Sequence, residues 1–197
     1  ARSYPSEIKN KESAIEAVIR STDNAILVAG VINADKGTLE GFKSYGNPVS
    51  GDAFVMYFSE KQVTSKVAPE SPIWNLKIKD ALAVKHLEEL PSGEGFLLAM
   101  HGDDEFLTAK VMKISFDGRP IWELDVPNHG ELTAIKVTKN GYFLSGHKAD
   151  RFDGIDASIS KISLNGEFLW NQSFGNPKGG DLIFSGLDEG DPRLIYD

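Results

Sequence analysis

Short apolar segments separated by turn-forming residues run along the chain, and they recur in pairs. The pairs are Ala14–Ile19 with Ala25–Gly30, Leu82–Leu87 with Gly95–Met100, and Leu132–Val137 with Gly141–Gly146. Many of these runs are apolar at successive positions, which is expected of strands in a sheet that packs between two neighbours. The pattern predicts an all-β chain of short, buried strands.

A tryptophan marks the end of each repeat. Trp74, Trp122 and Trp170 follow one another at intervals of 48 residues (74, 122, 170), each in an apolar segment. Asx-Gly pairs at 117–118 and 165–166 precede two of them. Such pairs between apolar runs supply the positive φ of a tight hairpin. Four strands in roughly 48 residues are typical of one four-stranded antiparallel β-propeller blade.

The repeat predicts a single β-propeller domain, or part of one, over residues 1–197. We expect three full blades, at about 13–78, 80–127 and 130–175, and an incomplete fourth at 180–197. The fourth restarts at Gly180 and offers two strands, Leu182–Leu187 and Arg193–Tyr196.

One segment conflicts with this repeat. The apolar spacing within Asp80–Leu90, taken alone, predicts a helix. The register of the repeat predicts a strand there instead, and three positions of the chain support that register. We therefore predict a strand.

The number of blades points to a partner. Six to eight blades of this size need roughly 290–390 residues, whereas the chain has 197. Because an open ring leaves bare sheet edges, we expect a second polypeptide or a symmetric copy to complete the propeller. The alternative is a compact four-bladed ring in which Ser3–Lys9 supplies an outer strand.

Three motifs of the third repeat resemble those of known propellers: Gly-Tyr-Phe-Leu-Ser-Gly at 141–146, Asp-Ala-Ser-Ile-Ser-Lys-Ile at 156–162, and Leu-Asn-Gly-Glu-Phe-Leu-Trp at 164–170. They resemble bacterial β-propeller repeats of the SBBP type and the related tryptophan-docked blades of PQQ-like proteins. The resemblance covers about residues 13–197 and implies the fold. PQQ-like blades carry Thr-Gly where this chain has Asx-Gly, and no quinone-site residue can be carried over.

Composition argues against several classes of binding partner and functional site. The 21 basic and 29 acidic residues give a net charge of −8, which argues against a nucleic-acid-binding surface. The absence of cysteine removes disulfides, thiolate metal ligands and cysteine nucleophiles. No apolar run reaches the roughly 18–20 residues of a membrane span. The N-terminal segment 1–5 resembles a mature end left by signal cleavage, which favours an extracellular or periplasmic location.

Histidines and carboxylates form the candidate ligand-binding rim. His101 and His147 each follow the second strand of a repeat, and His129 lies in a loop between repeats. Asp103 and Asp104 follow His101 directly. Three imidazoles with carboxylates nearby can bind a metal or transfer protons. The alternative is a set of solvated polar residues that reflect the common ancestry of the repeats.

A second candidate site is an acidic turn. Asp150, Asp153 and Asp156 place carboxylates at intervals of three around Gly154, and calcium binds six to eight such oxygens. The run does not match an EF-hand loop, so an ordinary polar turn is the alternative. No other cofactor motif is evident. The connection Val31–Gly51 is longer than its counterparts, which is typical of a functional loop or of a tolerated insertion.

These observations favour a propeller module that binds a ligand or a protein. One alternative is an enzyme with a metal or an acid–base pair on the propeller rim. Another is a glycan-binding, lectin-like propeller in which the tryptophans stack on sugars. Their identical place in the last strand favours packing between blades instead. The sequence leaves open whether the chain is catalytic.

Overall fold

The structure is a computed structural model that describes residues 11–34, 51–64, 71–91, 93–102, 108–150 and 154–175. Twelve strands and one short helix occupy these ranges. The elements are β1 (Glu12–Arg20), β2 (Ile26–Ala34), β3 (Asp52–Phe58), α1 (Glu60–Thr64), β4 (Trp74–Ile78), β5 (Ala83–Glu89), β6 (Phe96–His101), β7 (Ala109–Ile114), β8 (Pro120–Asp125), β9 (Leu132–Thr138), β10 (Gly141–Asp150), β11 (Gly154–Ile162) and β12 (Phe168–Phe174).

The strands form three four-stranded antiparallel sheets, each built from four consecutive strands. The first sheet is β1-β2-β3-β4, the second is β5-β6-β7-β8, and the third is β9-β10-β11-β12. The all-β prediction is confirmed. None of the three sheets closes on itself within the described ranges. No helix in these ranges is long and apolar enough to span a membrane.

The apolar pairs of the sequence are the first two strands of each sheet. The conflicting segment Asp80–Leu90 contains strand β5, which pairs with β6 from Ala83↔His101 to Glu89↔Phe96. The prediction from the repeat register is therefore confirmed. Its helix-like spacing comes from a register shift between Val84 and His86, which changes the face on which later side chains lie.

In the second and third sheets, the hairpin between the third and fourth strands turns at glycine. Gly118 has φ +78° and Gly166 has φ +83°, in the left-handed region that glycine adopts without strain. Each glycine N–H donates to a serine carbonyl three residues earlier, that of Ser115 at 3.0 Å and that of Ser163 at 3.1 Å. The positive φ predicted for both Asx-Gly turns is confirmed.

Neighbouring sheets pack face to face and bury two apolar cores. Strand β5 of the second sheet contacts β1, β2 and β3 of the first, and β9 of the third contacts β5 and β6. Leu27, Val55 and Phe96 belong to the core between the first and second sheets. Leu97, Val111 and Tyr142 belong to the core between the second and third.

The connections between sheets follow one design. Asp80 and Asn128 have φ of +54° and +56°, and each follows the last strand of its sheet. The carbonyl of the next residue accepts a hydrogen bond from a backbone N–H near the start of the third strand of the preceding sheet. Ala81 accepts from Ala53 at 3.1 Å, and His129 accepts from Ala109 at 2.9 Å. Ala81 and His129 are therefore equivalent positions of the repeat.

Several predictions fall outside the described residues. They are the fourth repeat at 180–197, the proposed outer strand Ser3–Lys9, and most of the long connection, 35–50.

Candidate functional site

The first tryptophan lies between the first and second sheets. The Trp74 indole Nε1 donates a hydrogen bond to the backbone oxygen of Phe116, 3.0 Å away in the next sheet's hairpin. Its ring stacks on Tyr57 with centroids 5.1 Å apart and an interplanar angle of 10°. A methyl group added at Gly118 would lie 2.7 Å from the indole. The turn therefore needs glycine to approach the ring this closely.

The second tryptophan repeats this arrangement one sheet later. The Trp122 ring lies on the hairpin of the third sheet, where a Cβ added at Gly166 would be 2.5 Å from the indole. Tyr142 of the third sheet is tilted against the same ring, with centroids 6.0 Å apart. The tryptophan of each of the first two sheets is thus covered by the glycine hairpin of the following sheet.

Trp170 occupies the equivalent position on the third sheet and differs in its surroundings. It meets Phe143 of its own sheet edge to face at 6.0 Å, and the Lys161 ammonium lies 5.2 Å from the Phe143 ring centroid. The residue is 42% exposed, whereas Trp74 and Trp122 are half-buried. The sequence favours packing between blades for all three tryptophans, but among the described residues a neighbouring sheet covers Trp74 and Trp122 and not Trp170.

The face that carries Trp170 is unevenly covered. Cross-strand pairing places Phe143, Lys161 and Trp170 in one row, and Ser145 and His147 in the next rows on the same face. Ser145 and His147 are buried, although both point away from the second sheet. The exposed part of the face lies at the outer strand β12.

The three predicted histidines are all buried near the start of β9, so they are not solvated residues. The Nε2 atom of His101 accepts a hydrogen bond of 2.9 Å from the Leu132 backbone N–H, which ties the second sheet to the third. Burial lowers the pKa of His101 to about 3. An acceptor Nε2 requires the neutral ring, so the contact and the lowered pKa agree.

His129 anchors a polar network on the side of the third sheet that faces the second. Its Nδ1 lies 2.9 Å from Ser160 Oγ and 3.3 Å from Ser158 Oγ. Asn171 Nδ2 donates to both hydroxyls, at 2.9 and 2.7 Å. The Nε2 atom of His129 is buried and makes no hydrogen bond within the described residues. Burial, with a smaller contribution from His147, lowers the pKa of His129 to about 4.

His147 is paired with Glu131. Its Nε2 lies 3.2 Å from Glu131 Oε2, and the backbone N–H of His147 donates to the Glu131 carbonyl at 3.0 Å. Burial alone would raise the pKa of Glu131, but the hydrogen bond to His147 lowers it overall. A carboxylate at the centre of the histidine cluster therefore stays ionised at neutral pH.

The first joint between sheets is apolar where the second is polar. Val31, Ala81 and Ala83 stand at the positions of His101, His129 and Glu131, and Val31 and Ala83 belong to a small apolar cluster. At these three positions the first joint thus has no ionisable groups, although Lys85 and Glu16 pair elsewhere across it at 2.9 Å. The polar joint is specific to the second and third sheets, and the hydrogen bond from Leu132 N–H to His101 Nε2 links them.

The carboxylates of the other predictions are only partly described. Asp103, Asp104 and Asp153 lie outside the described residues, and so does the side chain of Asp150. The Asp156 carboxylate lies against Gly175, where it fills the space that a Cβ would need. Within the described ranges, no group of three or more histidine or acidic side chains has a metal-binding arrangement.

A surface cleft separates the second and third sheets near the hairpin that covers Trp122. Its volume is about 580 Å³, within the range of small-ligand pockets. The Lys113 ammonium in this cleft is held by Glu94, 2.5 Å away. The cleft is lined by Leu90, Pro91, Glu94, Lys113, Val137, Thr138, Lys139, Tyr142, Leu164 and Asn165.

Sequence reasoning missed the partners of the histidines. Glu131, Ser158, Ser160 and Asn171 come from the start of β9, from β11 and from β12. A comparison of repeats could have identified Glu131 and Ser160, because Ala83 and Met112 stand at these positions in the preceding repeat.

The chain matches no known protein-family model and, in sequence, none of the curated proteins.

Proposed function

We propose that this chain is a protein-binding module of the β-propeller type, and that the face around Trp170 is its binding surface. One observation carries the proposal. Two of three equivalent tryptophans are covered by the next sheet, and the third is exposed. The equivalent faces of the first and second sheets each pack against the next sheet of the chain. The same face of the third sheet is therefore suited to bind a similar element from a partner.

The propeller arrangement is supported by the repeated joint. Both connections between sheets have a residue of positive φ at the same position, Asp80 in the first and Asn128 in the second. Trp74 and Trp122 both contact the glycine turn of the next sheet. Because the same contacts recur at both joints, the same rotation and translation relate the first sheet to the second and the second to the third.

A protein partner fits this face better than a sugar. The Trp74 indole is engaged by the Phe116 carbonyl and the Gly118 turn of the next sheet, and the Trp122 ring is engaged by Tyr142 and the Gly166 turn. These are features of sheet packing. Trp170 also meets the partly buried Phe143 edge to face, so an aromatic contact lies beside the exposed part of the face.

The histidine cluster supports this non-catalytic assignment. Its histidines are buried, and His101 accepts a hydrogen bond from Leu132 of the third sheet, while His129 and His147 contact Ser160 and Glu131. Such a cluster fixes the orientation of the third sheet, which carries the binding face.

A photo-crosslinking experiment tests the proposal. Benzoylphenylalanine replaces Trp170 in cells that produce the protein, and Leu169 is replaced in a control. Leu169 is 47% exposed, and its counterpart Ile121 stays 52% exposed at the joint where the next sheet covers Trp122. We expect an adduct of one discrete mass at position 170, with the crosslink mapped to a β-strand or turn of the partner. No adduct at 170, or the same adducts at 169, would contradict the proposal.

A further inference from the structure

We infer that the partner of the Trp170 face is a two-stranded β-hairpin from a different polypeptide, with a positive-φ glycine at its turn. This inference rests on the proposed function and specifies its partner. It is based on the two joints within the chain, where a tryptophan packs against a glycine hairpin of the next sheet.

The glycine is required because of the distance between turn and ring. A Cβ would approach the indole to 2.7 Å at Gly118 and to 2.5 Å at Gly166, and several ring atoms lie within about the same distance. The clash is with a rigid, packed aromatic ring rather than with the end of a flexible side chain. A turn with any larger residue cannot sit on the tryptophan in the same way.

The hairpin also supplies a hydrogen-bond acceptor. The carbonyl that binds the Trp74 indole belongs to Phe116, two residues before the turn glycine. Ser115 and Ser163 close the two hairpins by accepting at Oγ from the N–H of Arg119 (3.2 Å) and of Glu167 (3.1 Å). The partner hairpin is therefore expected to have the pattern Ser, apolar residue, Asx, Gly.

A hairpin is enough because only the outer part of the face is exposed. Ser145 and Ala157 are buried on the inner strands of this face, whereas Trp170 is exposed on the outer strand. At the internal joints the outer tryptophan meets the hairpin of the third and fourth strands. A partner that supplies these two strands would cover the exposed part.

A second copy of the chain does not supply this hairpin from its described residues. Its hairpins at 115–119 and 163–167 already cover Trp74 and Trp122. In the first sheet the corresponding connection, residues 59–73, contains helix α1 and no glycine in its sequence. Both glycine hairpins among the described residues are thus occupied within the chain, and we place the partner hairpin on a different polypeptide.

Chemical-shift titration tests the inference with the full chain. The chain is labelled with ¹⁵N, and Trp170→Phe assigns one of its three indole N–H signals. The probe is an unlabelled peptide with the sequence of residues 158–174, cyclised through its ends to hold the hairpin, with cross-strand contacts verified by NMR. The control is the same peptide with Gly166→Ala.

We expect the glycine peptide to shift the Trp170 indole signal saturably and to leave the Trp74 and Trp122 signals unchanged. The alanine peptide should bind at least about tenfold more weakly, which corresponds to a clash of about 1.4 kcal/mol. Equal binding of the two peptides, or an unmoved Trp170 signal, overturns the inference. So does a crosslink from position 170 to a second copy of the chain. A crosslink to another protein without such a hairpin overturns only this inference and leaves the proposed function standing.

Discussion

The indole nitrogen of Trp74 donates a hydrogen bond to the carbonyl oxygen of Phe116 across the gap between the first and second sheets. The bond joins the last strand of one sheet to the hairpin of the next, and the ring of Trp122 meets Gly166 in the corresponding place. Trp170 projects the same ring from the third sheet and is exposed. Position in the array therefore decides how much each tryptophan contributes to stability.

The first prediction concerns the glycine beneath Trp122. Gly166→Ala adds a clash to the cost of a left-handed alanine, which is about 1 kcal/mol. Gly93→Ala is the matched control, because Gly93 has φ +69° and no atom within 4 Å of an added Cβ. Urea unfolding should show a loss larger by about 1–3 kcal/mol at Gly166 than at Gly93. Equal losses would mean that the ring does not rest on the turn.

The second prediction separates the first tryptophan from the last. Trp74→Phe removes the indole donor and leaves the Phe116 carbonyl without it, so it should lower the free energy of unfolding by about 1–2 kcal/mol. Trp170→Phe should change it by less than about 0.5 kcal/mol, because the side chain is partly in solvent. Chemical denaturation of the two variants measures both values. A larger loss at Trp170 than at Trp74 would contradict the assignment of roles.

The regular spacing of the tryptophans made most of this fold predictable. The 48-residue interval identified the strand that carries each ring, and the Asx-Gly pairs identified the turns, because both signals are local. The exposure of Trp170 was not predictable, since it depends on what packs against the third sheet and not on its own sequence.

The histidine cluster could also be predicted only in part from the sequence. His101, His129 and His147 were recognised as a set, but their burial follows from pairing between sheets, as in the bond from Leu132 N–H to His101 Nε2. Glu131 reaches His147 through the register of β9 and β10. Neither this strand register nor the distance between the Glu131 and His147 side chains can be read from a single sequence.

The third prediction is a pH dependence of stability. The pKa of His101 is lowered to about 3 and that of His129 to about 4, below the value of about 6.5 in an unfolded chain. The unfolded chain therefore binds more protons below about pH 6.5, and stability falls as the pH falls towards 4. Each histidine contributes up to about 1.4 kcal/mol per pH unit over this range. Urea unfolding at a series of pH values measures the slope.

A variant that copies the first joint provides the control for this slope. His129→Ala places at the second joint the residue that Ala81 supplies at the first. Asn171 still donates to both serine hydroxyls, so the remaining network is retained. The variant should lose less stability between about pH 6.5 and 4 than the parent chain. An unchanged slope would show that His129 is not held neutral by the fold.

The most direct test of the central claim compares the three tryptophans in one sample. The chain is labelled with 5-fluorotryptophan, and its three ¹⁹F signals are assigned by single Trp→Phe variants. Transfer from H₂O to D₂O shifts a fluorine signal in proportion to its contact with solvent. We predict a large solvent isotope shift for Trp170 and small shifts for Trp74 and Trp122. Three similar shifts, or the largest shift at Trp74 or Trp122, would contradict the claim that the third sheet carries the open binding face.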